Sequence, residues 1–325
     1  MATIFHDADA DLGVLAGSSV AVVGYGNQGR SWALNLRDSG FDVRVCVRAD
    51  ASQEQAATDG FTPGSLGDAS DADVVCVLVP DDVIPLLPLS RTERGLTIVA
   101  SGYTLAFERF DPAGDIGMVA PRMLGPEVRS CYQEGIGFIT AVGVHRDVTG
   151  DAQARTLAVA KAIGGLRQGG IELTPMQEAV LDLAVEQALS PALTLVNGMF
   201  VQVMLEQGIP LEAIITELVL SGEVERTMRL VRESGYAHQF GFHSPTSQYG
   251  QLTRRDEYDG TEVGTTMRRL VDDIVSGRFA DEWDAERDAG YPNLARLREQ
   301  HAGPAVAEFE TALRQQLGEG AISTP

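Results

Sequence analysis

Lysine is almost absent from this 325-residue chain. Lys161 is the single lysine, so 24 of the 25 basic residues are arginine. It lies in the small-residue helical pattern LAVAKAIGG, which is typical of a solvated surface lysine. Enzymes that form a Schiff base with a carbonyl substrate use a lysine amine as the nucleophile. We therefore do not expect Schiff-base chemistry.

Positive charge is scarce as well. The chain carries 46 acidic residues against 25 basic ones, which gives a formal net charge of -21. A charge of this sign opposes association with a nucleic-acid backbone or an anionic membrane. We therefore expect a small-molecule substrate, and neither nucleic acid nor a membrane as a partner.

Cysteines and long apolar runs are also few. Cys46, Cys76 and Cys131 form no CxxC pair, so they indicate neither a disulfide framework nor a zinc site. No uninterrupted apolar run reaches the roughly 18 residues that span a bilayer. The first residues, MATIFHDADADLG, are acidic where a secretory signal would be basic. These features favour a cytoplasmic protein.

Strand and helix patterns alternate through the first half of the chain. The segment DVVCVLVP, residues 73–80, is continuously apolar, as expected for a strand that is covered on both faces. Strands that alternate with helices predict an α/β fold with a doubly wound parallel sheet. The predicted strands cover residues 20–24, 42–47, 73–80, 96–100, 117–120 and 137–142.

The pattern changes near residue 172. Later segments repeat apolar residues with a helical period, and we find no convincing strand among them. We therefore predict a nucleotide-binding domain over residues 1–172, an all-helical domain over 173–317 and a flexible tail over 318–325. The helical segments cover residues 176–207, 211–233, 261–276, 293–302 and 304–317.

The motif GYGNQG follows the first of these strands and precedes a helix. Its first glycine permits a tight turn, its second lets the backbone approach a pyrophosphate, and its third lets helix and strand pack closely. The pyrophosphate then lies at the positive end of the helix. This context predicts a Rossmann dinucleotide site formed by Gly24, Tyr25, Gly26, Asn27, Gln28 and Gly29.

The residues after the second strand bear on the choice of dinucleotide. Arg48 and Ser52 suit the 2′-phosphate of NADPH, whereas Asp50 would repel it or would cap the next helix. Arg48 lies nearer the strand end, so NADPH is favoured and NADH stays possible. Pro80 ends the third strand, and we expect it to shape the nicotinamide site.

Three acids stand among apolar residues in the helical half. Asp182 and Glu186 are four residues apart, which places them on the same face of a regular helix. Glu217 lies in the next helical segment, AIITELVLSG. Charges with apolar flanks are unusual unless they are paired or functional. From spacing alone, buried ion pairs or ordinary surface acids remain equally open.

Several long segments carry a family resemblance, among them GSSVAVVGYGNQGRSWALNLRDSGFDV, MVAPRMLGPEVRSCYQEGIG and IVSGRFADEWDAERDAGYPNLARLRE. Along nearly its whole length the sequence resembles ketol-acid reductoisomerase of the short, class I type. The resemblance implies a Rossmann domain and a knotted, 6-phosphogluconate-dehydrogenase-like helical domain that intertwines in a homodimer. It also implies NADPH, two magnesium ions, and alkyl migration in an acetohydroxy acid followed by hydride reduction.

Some functional residues of the family have matches in this sequence. Asp182 and Glu186 match the aspartate and glutamate of the metal-binding helix, so they are the residual candidates for a metal site. Glu217 matches the first glutamate of the following helix, which a partner subunit contributes in the family. Ser244 matches a serine that contacts substrate.

Three positions depart from the family pattern. The second glutamate of that helix is Ser221 here, the lysine of the APK segment is Arg122, and the histidine of the AHG segment is Ser101. Ser221 lacks an anionic metal ligand, Arg122 lacks the compact charge of lysine, and Ser101 cannot handle protons as histidine does. Glu223 and Glu225 lie close enough to leave a shifted ligand set open. We expect that magnesium is not required.

A site of this composition without magnesium would be strongly negative and would favour a cationic substrate. A protonated imine is cationic and is also activated for hydride attack. A crowded carboxyl would have a raised pKa and could donate a proton. We therefore predict an NADPH-dependent, metal-independent reductase of a C=N bond, such as a cyclic imine in a specialised biosynthetic pathway. The expected catalytic residues are Asp182, Glu186, Glu217, Ser101 and Arg122, with Ser221 and Ser244 contacting the substrate.

Three alternatives remain. The first is a magnesium-dependent ketol-acid reductoisomerase of branched-chain amino-acid synthesis. The second is a 2-keto acid reductase, which the negative pocket disfavours. The third is a non-catalytic scaffold that binds the cofactor, against which the intact glycine turn argues.

Overall fold

The computed structural model of the chain describes residues 2–254 and 262–302, together with positions 308 and 312. The chain divides into two compact units, the first ending at Leu183 and the second beginning at Ala184. The predicted domain boundaries, drawn from sequence pattern alone, stay predictions. The start of the predicted helix at residue 261, most of the one at 304–317 and the tail lie outside the described residues.

One eight-stranded sheet forms the centre of the first unit, in the order β1-β8-β7-β6-β5-β4-β2-β3. The five strands from β3 to β6 are parallel, as the sequence predicts. The strands are β1 (Ile4–Phe5), β2 (Val20–Val23), β3 (Val43–Cys46), β4 (Val74–Val77), β5 (Leu96–Val99), β6 (Asp115–Pro121), β7 (Thr140–Arg146) and β8 (Gly170–Glu172).

The sheet departs from the all-parallel prediction beyond β6. β7 runs antiparallel to β6, and Thr140 at its start pairs with Pro121 at the end of β6. The helix between these strands therefore returns the chain to the same edge of the sheet instead of crossing it. β8 is parallel to β7, and β1 is antiparallel to β8. β1 and β8 contain two and three residues, too few to show a strand period in the sequence.

Both faces of the sheet are covered. Val20 and Val22 of β2 belong to one core with Trp32, whereas Ala21 and Val23 belong to a second core on the opposite face. This arrangement explains why the central strands are apolar at every position. The helices of this unit are α1 (Asn27–Asp38), α2 (Ala51–Thr58), α3 (Tyr103–Ala106), α4 (Gly125–Gln133), α5 (Ala152–Ala162) and α6 (Pro175–Ala184).

Lys161 has a structural role in α5. Its Nζ donates hydrogen bonds to the backbone oxygens of Asp7, at 2.8 Å, and Ala10, at 2.7 Å. The side chain is half-buried, so the expectation of a solvated surface lysine is wrong. The only lysine holds the segment after β1 against α5.

The described part of the second unit is helical throughout, as predicted. Two of the predicted long helices are interrupted by π-helical turns, Val185–Leu189 and Thr216–Leu220. Gly222, in the left-handed region with φ of 71°, then starts a new helix. The helices are α7 (Ser190–Glu206), α8 (Leu211–Ile215), α9 (Glu223–Ser234), α10 (Tyr236–Phe240), α11 (Pro245–Arg254), α12 (Val263–Val275), α13 (Arg278–Asp288) and α14 (Pro292–Ala302).

Helix α7 presents apolar side chains to the surface of the single chain. Leu195 is 62% exposed and Met199 is 58% exposed. The continuous helix Pro175–Glu206 is long and apolar enough, by length and composition only, to cross a membrane. This property was not predicted, because Asn197 and Gln202 interrupt the apolar run.

Candidate active site

Four of the predicted site residues follow parallel strands. Gly24 follows β2, Pro80 follows β4, Ser101 follows β5 and Arg122 follows β6. The carboxyl ends of parallel strands lie at one edge of a sheet, which is where open α/β sheets bind their ligands. The structure thus places these residues along the same edge of the first unit.

The glycine turn has the geometry that a dinucleotide requires. Gly24 has φ of 96°, and a Cβ there would lie 2.5 Å from the Leu78 carbonyl oxygen. A Cβ at Gly29 would lie 2.2 Å from the Gly24 oxygen, so this glycine permits the helix to pack on the turn. Gly26 has no atom within 4 Å of its Cβ position, and α1 begins at the next residue. This open backbone at a helix N-terminus fits a pyrophosphate.

Protein contacts of Tyr25 and Gln28 support this turn. The Tyr25 ring is 5% exposed, and its hydroxyl donates to Asp59 at 2.9 Å. Arg30 donates to the same carboxylate at 2.7 Å. Gln28 donates to the Met123 backbone oxygen at 3.2 Å. These three hydrogen bonds hold the turn in place. Asn27 is the first residue of α1.

A cavity of about 210 Å³ opens beside the turn, where the strand order reverses between β2 and β4. Arg48, Asp50, Ser52 and Pro80 line it together with Gly26. A larger cavity of about 650 Å³ lies near Ser19 at the opposite edge of the sheet and contains none of the predicted site residues. The smaller cavity is the candidate cofactor site because the glycine turn is there.

Asp50 caps the next helix, which is one of the two roles that the sequence left open. Its carboxylate accepts a hydrogen bond from the Ser52 backbone N–H at 2.9 Å and caps α2. The same carboxylate lies 3.4 Å from Arg48 Nε. The backbone hydrogen bond from Ser52 lowers the pKa of Asp50, so the carboxylate is charged at neutral pH. The positive charge that Arg48 presents to the pocket is therefore partly compensated by Asp50.

Arg122 joins two acids of α6. Its Nη1 lies 3.1 Å from Asp182 Oδ1, and its Nη2 donates to Glu178 Oε1. Glu178 is 1% exposed, and its second oxygen accepts a hydrogen bond from the Gly102 backbone N–H at 2.5 Å. Arg122 thus binds a fully buried carboxylate and, with its other nitrogen, a half-exposed one.

Glu178 was not among the site residues predicted from the sequence. Burial raises the pKa of its carboxyl, while the charge of Arg122 opposes that rise. A crowded carboxyl was expected among Asp182, Glu186 and Glu217, and the structure adds Glu178 as a buried one. The signal was available, because Glu178 precedes Asp182 by the same four residues that separate Asp182 from Glu186.

Ser101 begins the turn that leads into α3. Its Oγ accepts a hydrogen bond from the Tyr103 backbone N–H at 3.2 Å. Gly102, which contacts Glu178, follows Ser101 directly. A Cβ at Gly102 would lie 2.2 Å from the Pro175 backbone oxygen, so only glycine lets this turn approach α6 so closely.

The remaining predicted residues belong to the second unit. Glu186 and Glu217 lie in the two π-helical turns. The rule that placed Glu186 and Asp182 on one face assumes regular α-helix, which ends at Ala184. Ser221 donates from Oγ to the Glu217 backbone oxygen at 3.3 Å. Ser244 is exposed, and its Oγ accepts from the Ser247 backbone N–H at 3.3 Å.

The two glutamates considered for a shifted ligand set come after the helix break at Gly222. Glu223 begins α9, and its backbone N–H donates to Ser221 Oγ at 3.2 Å. Glu225 accepts a hydrogen bond from Arg229 at 2.5 Å. The break and the ion pair disfavour Glu225 as a substitute for the missing glutamate.

The residues present do not fit a two-magnesium centre. Magnesium requires carboxylate and water oxygens in octahedral geometry. In this chain the Asp182 carboxylate is bound to a guanidinium, and the position that matches the second glutamate of the family pattern is Ser221. Across residues 2–254 and 262–302, no three histidine, cysteine or acidic side chains are grouped so that they could hold a metal ion.

Comparison with known protein families covers both halves of the chain. The family described as acetohydroxy acid isomeroreductase, NADPH-binding domain, matches residues 14–169. The family described as ketol-acid reductoisomerase, C-terminal domain, matches residues 176–319. The chain belongs to the ketol-acid reductoisomerase family. It is an NAD(P)H-dependent oxidoreductase with a Rossmann domain and a helical domain, as the sequence predicts.

Individual relatives cover nearly the whole chain. The ketol-acid reductoisomerase (NAD(P)(+)) of Metallosphaera sedula is 36% identical over 329 residues, covering 98% of this chain and 95% of the relative. The ketol-acid reductoisomerase (NADP(+)) of Caldivirga maquilingensis is 38% identical over 311 residues, covering 91% and 93%. The solved structure of an NADH-preferring ketol-acid reductoisomerase from an uncultured archean has a TM-score of 0.87 and 30% identity, covering 95% and 98%.

Proposed function

We propose that this protein uses NAD(P)H to reduce the C=N bond of a cationic substrate, such as a protonated cyclic imine, without a divalent cation. NADPH is the favoured cofactor, because Arg48 and Ser52 line the cavity beside the glycine turn. The observation that carries the proposal is the ion cluster of Arg122, Asp182 and Glu178 at the cofactor edge of the sheet.

This cluster bears on which step of the family reaction the chain supports. Alkyl migration needs hard cations to polarise the ketone and alkoxide oxygens. Hydride reduction needs a bound dihydronicotinamide, which supplies the hydride, and an electrophilic carbon held beside it. The carbon of a protonated imine accepts the hydride while its nitrogen keeps the proton, so an amine forms and no further acid is required. The chain's residues therefore suit reduction without migration.

The charge of the cluster supports a cationic substrate. Two carboxylates and one guanidinium leave a formal charge of -1 on these three side chains. The site is less negative than the acids alone suggested, because Arg122 compensates one of them. The remaining charge still attracts a cation and repels the carboxylate of an acetohydroxy acid.

Helix α7 supports a homodimer. Its apolar side chains are exposed over the whole helix in the single chain, including Leu193, Leu195, Val196, Met199 and Val203. A soluble protein rarely leaves an apolar surface of this kind uncovered. We therefore propose that a second copy of the chain covers α7 and that the two helical domains intertwine.

The test is oxidation of NADPH with two substrates, acetolactate and a simple cyclic imine, each with magnesium and with EDTA. Imine turnover that survives EDTA is the expected result. Acetolactate turnover that EDTA abolishes, without imine turnover, would overturn the proposal. NADH is run in parallel because the cofactor preference is part of the proposal.

A second candidate is the magnesium-dependent isomeroreductase reaction. Its support comes from the relatives, which are 36% and 38% identical and are named ketol-acid reductoisomerase. It requires that Arg122 release Asp182 and that the metals bind without a carboxylate at position 221. The same assay separates the two candidates, because only the isomeroreductase needs both acetolactate and magnesium.

A further inference from the structure

We infer that Arg122 is an internal cation that occupies the electrostatic place of a divalent metal at Asp182, so that the site excludes such a metal. The inference deepens the proposed function and rests on it only for the identity of the substrate. It concerns which cation the α6 carboxylates bind, a property that can be measured with no substrate present.

The first step is the shape of the guanidinium. Arginine presents its N–H groups in a planar fork, whereas a lysine ammonium is a compact point charge. Arg122 uses this fork to contact two carboxylates at once, Asp182 through Nη1 and Glu178 through Nη2. A single ammonium cannot reproduce both contacts in the same plane. The residue type at position 122 therefore decides whether a side-chain cation of the protein already binds the Asp182 carboxylate.

The second step is the burial of Glu178. Its side chain is 1% exposed, whereas Asp182 is 46% exposed. The other Glu178 oxygen is taken by the Gly102 N–H, and Arg122 is its cationic partner. A buried carboxylate is costly without a counter-charge, so Arg122 is held in place by Glu178. Asp182 then meets a cation that cannot move away to admit another.

The third step is the electrostatics at Asp182. A divalent ion on this carboxylate would lie beside a guanidinium whose Nη1 is 3.1 Å from Asp182 Oδ1. A guanidinium and a divalent ion bound to the same carboxylate would repel each other. The guanidinium therefore replaces the metal, and it also positions Asp182 and Glu178.

The experiment is a Mn²⁺ titration of the full chain, in which free Mn²⁺ is followed by its electron paramagnetic resonance signal. Mn²⁺ accepts the same oxygen ligands as Mg²⁺ and is directly observable. Four variants are compared with the wild type: R122K, D182N, the double variant R122K/D182N and the control R146K. Arg146 is also ion-paired, to Asp111, but it lies at the opposite edge of the sheet beside Ile116.

We expect no saturable Mn²⁺ binding by the wild type or by R146K. R122K should bind Mn²⁺ saturably, with an affinity at least about tenfold above the highest that the wild-type titration leaves open, which is the scale of effects from groups that surround metal ligands. A D182N substitution added to R122K should abolish the gain, because the metal would be bound at that carboxylate.

Two results would overturn the inference. One is stoichiometric Mn²⁺ binding by the wild type that D182N weakens, which can be measured whether or not R122K folds. The other is a folded R122K, judged by its thermal unfolding, whose Mn²⁺ affinity equals that of the wild type. Failure of imine reduction would contradict the proposed function but would leave the Mn²⁺ titration unaffected.

Discussion

The Asp50 carboxylate lies 3.4 Å from the Arg48 guanidinium, inside the pocket that lies beside the glycine turn. Asp50→Asn keeps a good helix N-cap, because asparagine caps as well as aspartate. It removes the negative charge that opposes a 2′-phosphate. We expect the KM for NADPH to fall about two- to fivefold, a modest change because the pair is exposed to solvent. Steady-state kinetics with both cofactors provide the check, and equal changes for NADPH and NADH would contradict this role.

Gly26 and Gly29 should respond differently to alanine. The Cβ of Gly26→Ala would enter open space, so the free energy of unfolding should change by no more than about 1 kcal/mol. The same methyl would block the pyrophosphate, and NADPH affinity should fall at least about tenfold. Gly29→Ala should unfold the turn, because its Cβ would lie 2.2 Å from a backbone oxygen. Cofactor titration and urea unfolding of both variants separate these effects.

Glu178 and Asp182 share Arg122 but differ in burial, so their neutral variants should differ in stability. Glu178→Gln leaves the buried side of the cluster without its charge and should lower the free energy of unfolding by about 3 kcal/mol. Asp182→Asn alters a half-exposed pair and should cost less than about 1 kcal/mol. Urea unfolding of the two variants measures the difference. Equal losses would show that burial does not set the energy of this cluster.

Asp59 should make the glycine turn sensitive to acid. The hydrogen bond from Arg30 lowers the pKa of this carboxyl to about 2, below its value in the unfolded chain. A lowered pKa in the folded state contributes stability that is fully present above about pH 4 and is lost as the pH falls through about 2. The wild type should therefore be more stable than D59N near neutral pH. The difference should shrink below about pH 4, as measured by urea unfolding over that range.

A charged pair in α7 should dissociate the proposed dimer. Leu195→Glu with Met199→Glu places two like charges in the middle of the exposed apolar helix. Burying these charges against a second copy would cost several kcal/mol per ion, so association should be lost. Light scattering after size exclusion should show twice the monomer mass for the wild type and the monomer mass for the variant. A wild-type monomer would contradict the dimer.

The parts of the fold that follow from short-range pattern were predictable. The GYGNQG turn and the five parallel strands depend on local residues and their alternation, and both are found where the sequence placed them. The direction of β7 was not predictable, because a helix after β6 can either cross the sheet or return to the same edge. The π-helical turns at Val185 and Thr216 were not predictable either, because they have the same helical composition as their surroundings.

The candidate site, too, was only partly predictable from the sequence. The departure of Arg122 from the family pattern was visible in the sequence, but its fork between two acids was not. Arg122 and Glu178 are 56 positions apart, and only the close approach of Gly102 to α6 brings them together. Burial then separates Glu178 from Asp182, although both are acids on one short helix. Sequence spacing indicates which residues are neighbours on a helix, but it carries no information on which of them is buried.

Because the chain has a single lysine, it offers one side-chain amine for chemical labelling. The same amine, Lys161 Nζ, binds the backbone oxygens of Asp7 and Ala10 and thereby holds the N-terminal segment in place. Apart from the N-terminal α-amine, an acylating reagent would therefore find one amine to modify. The rate of acylation at Lys161 would report how often its two hydrogen bonds break, and an acylated Lys161 could no longer hold the segment after β1 against α5 in the same way.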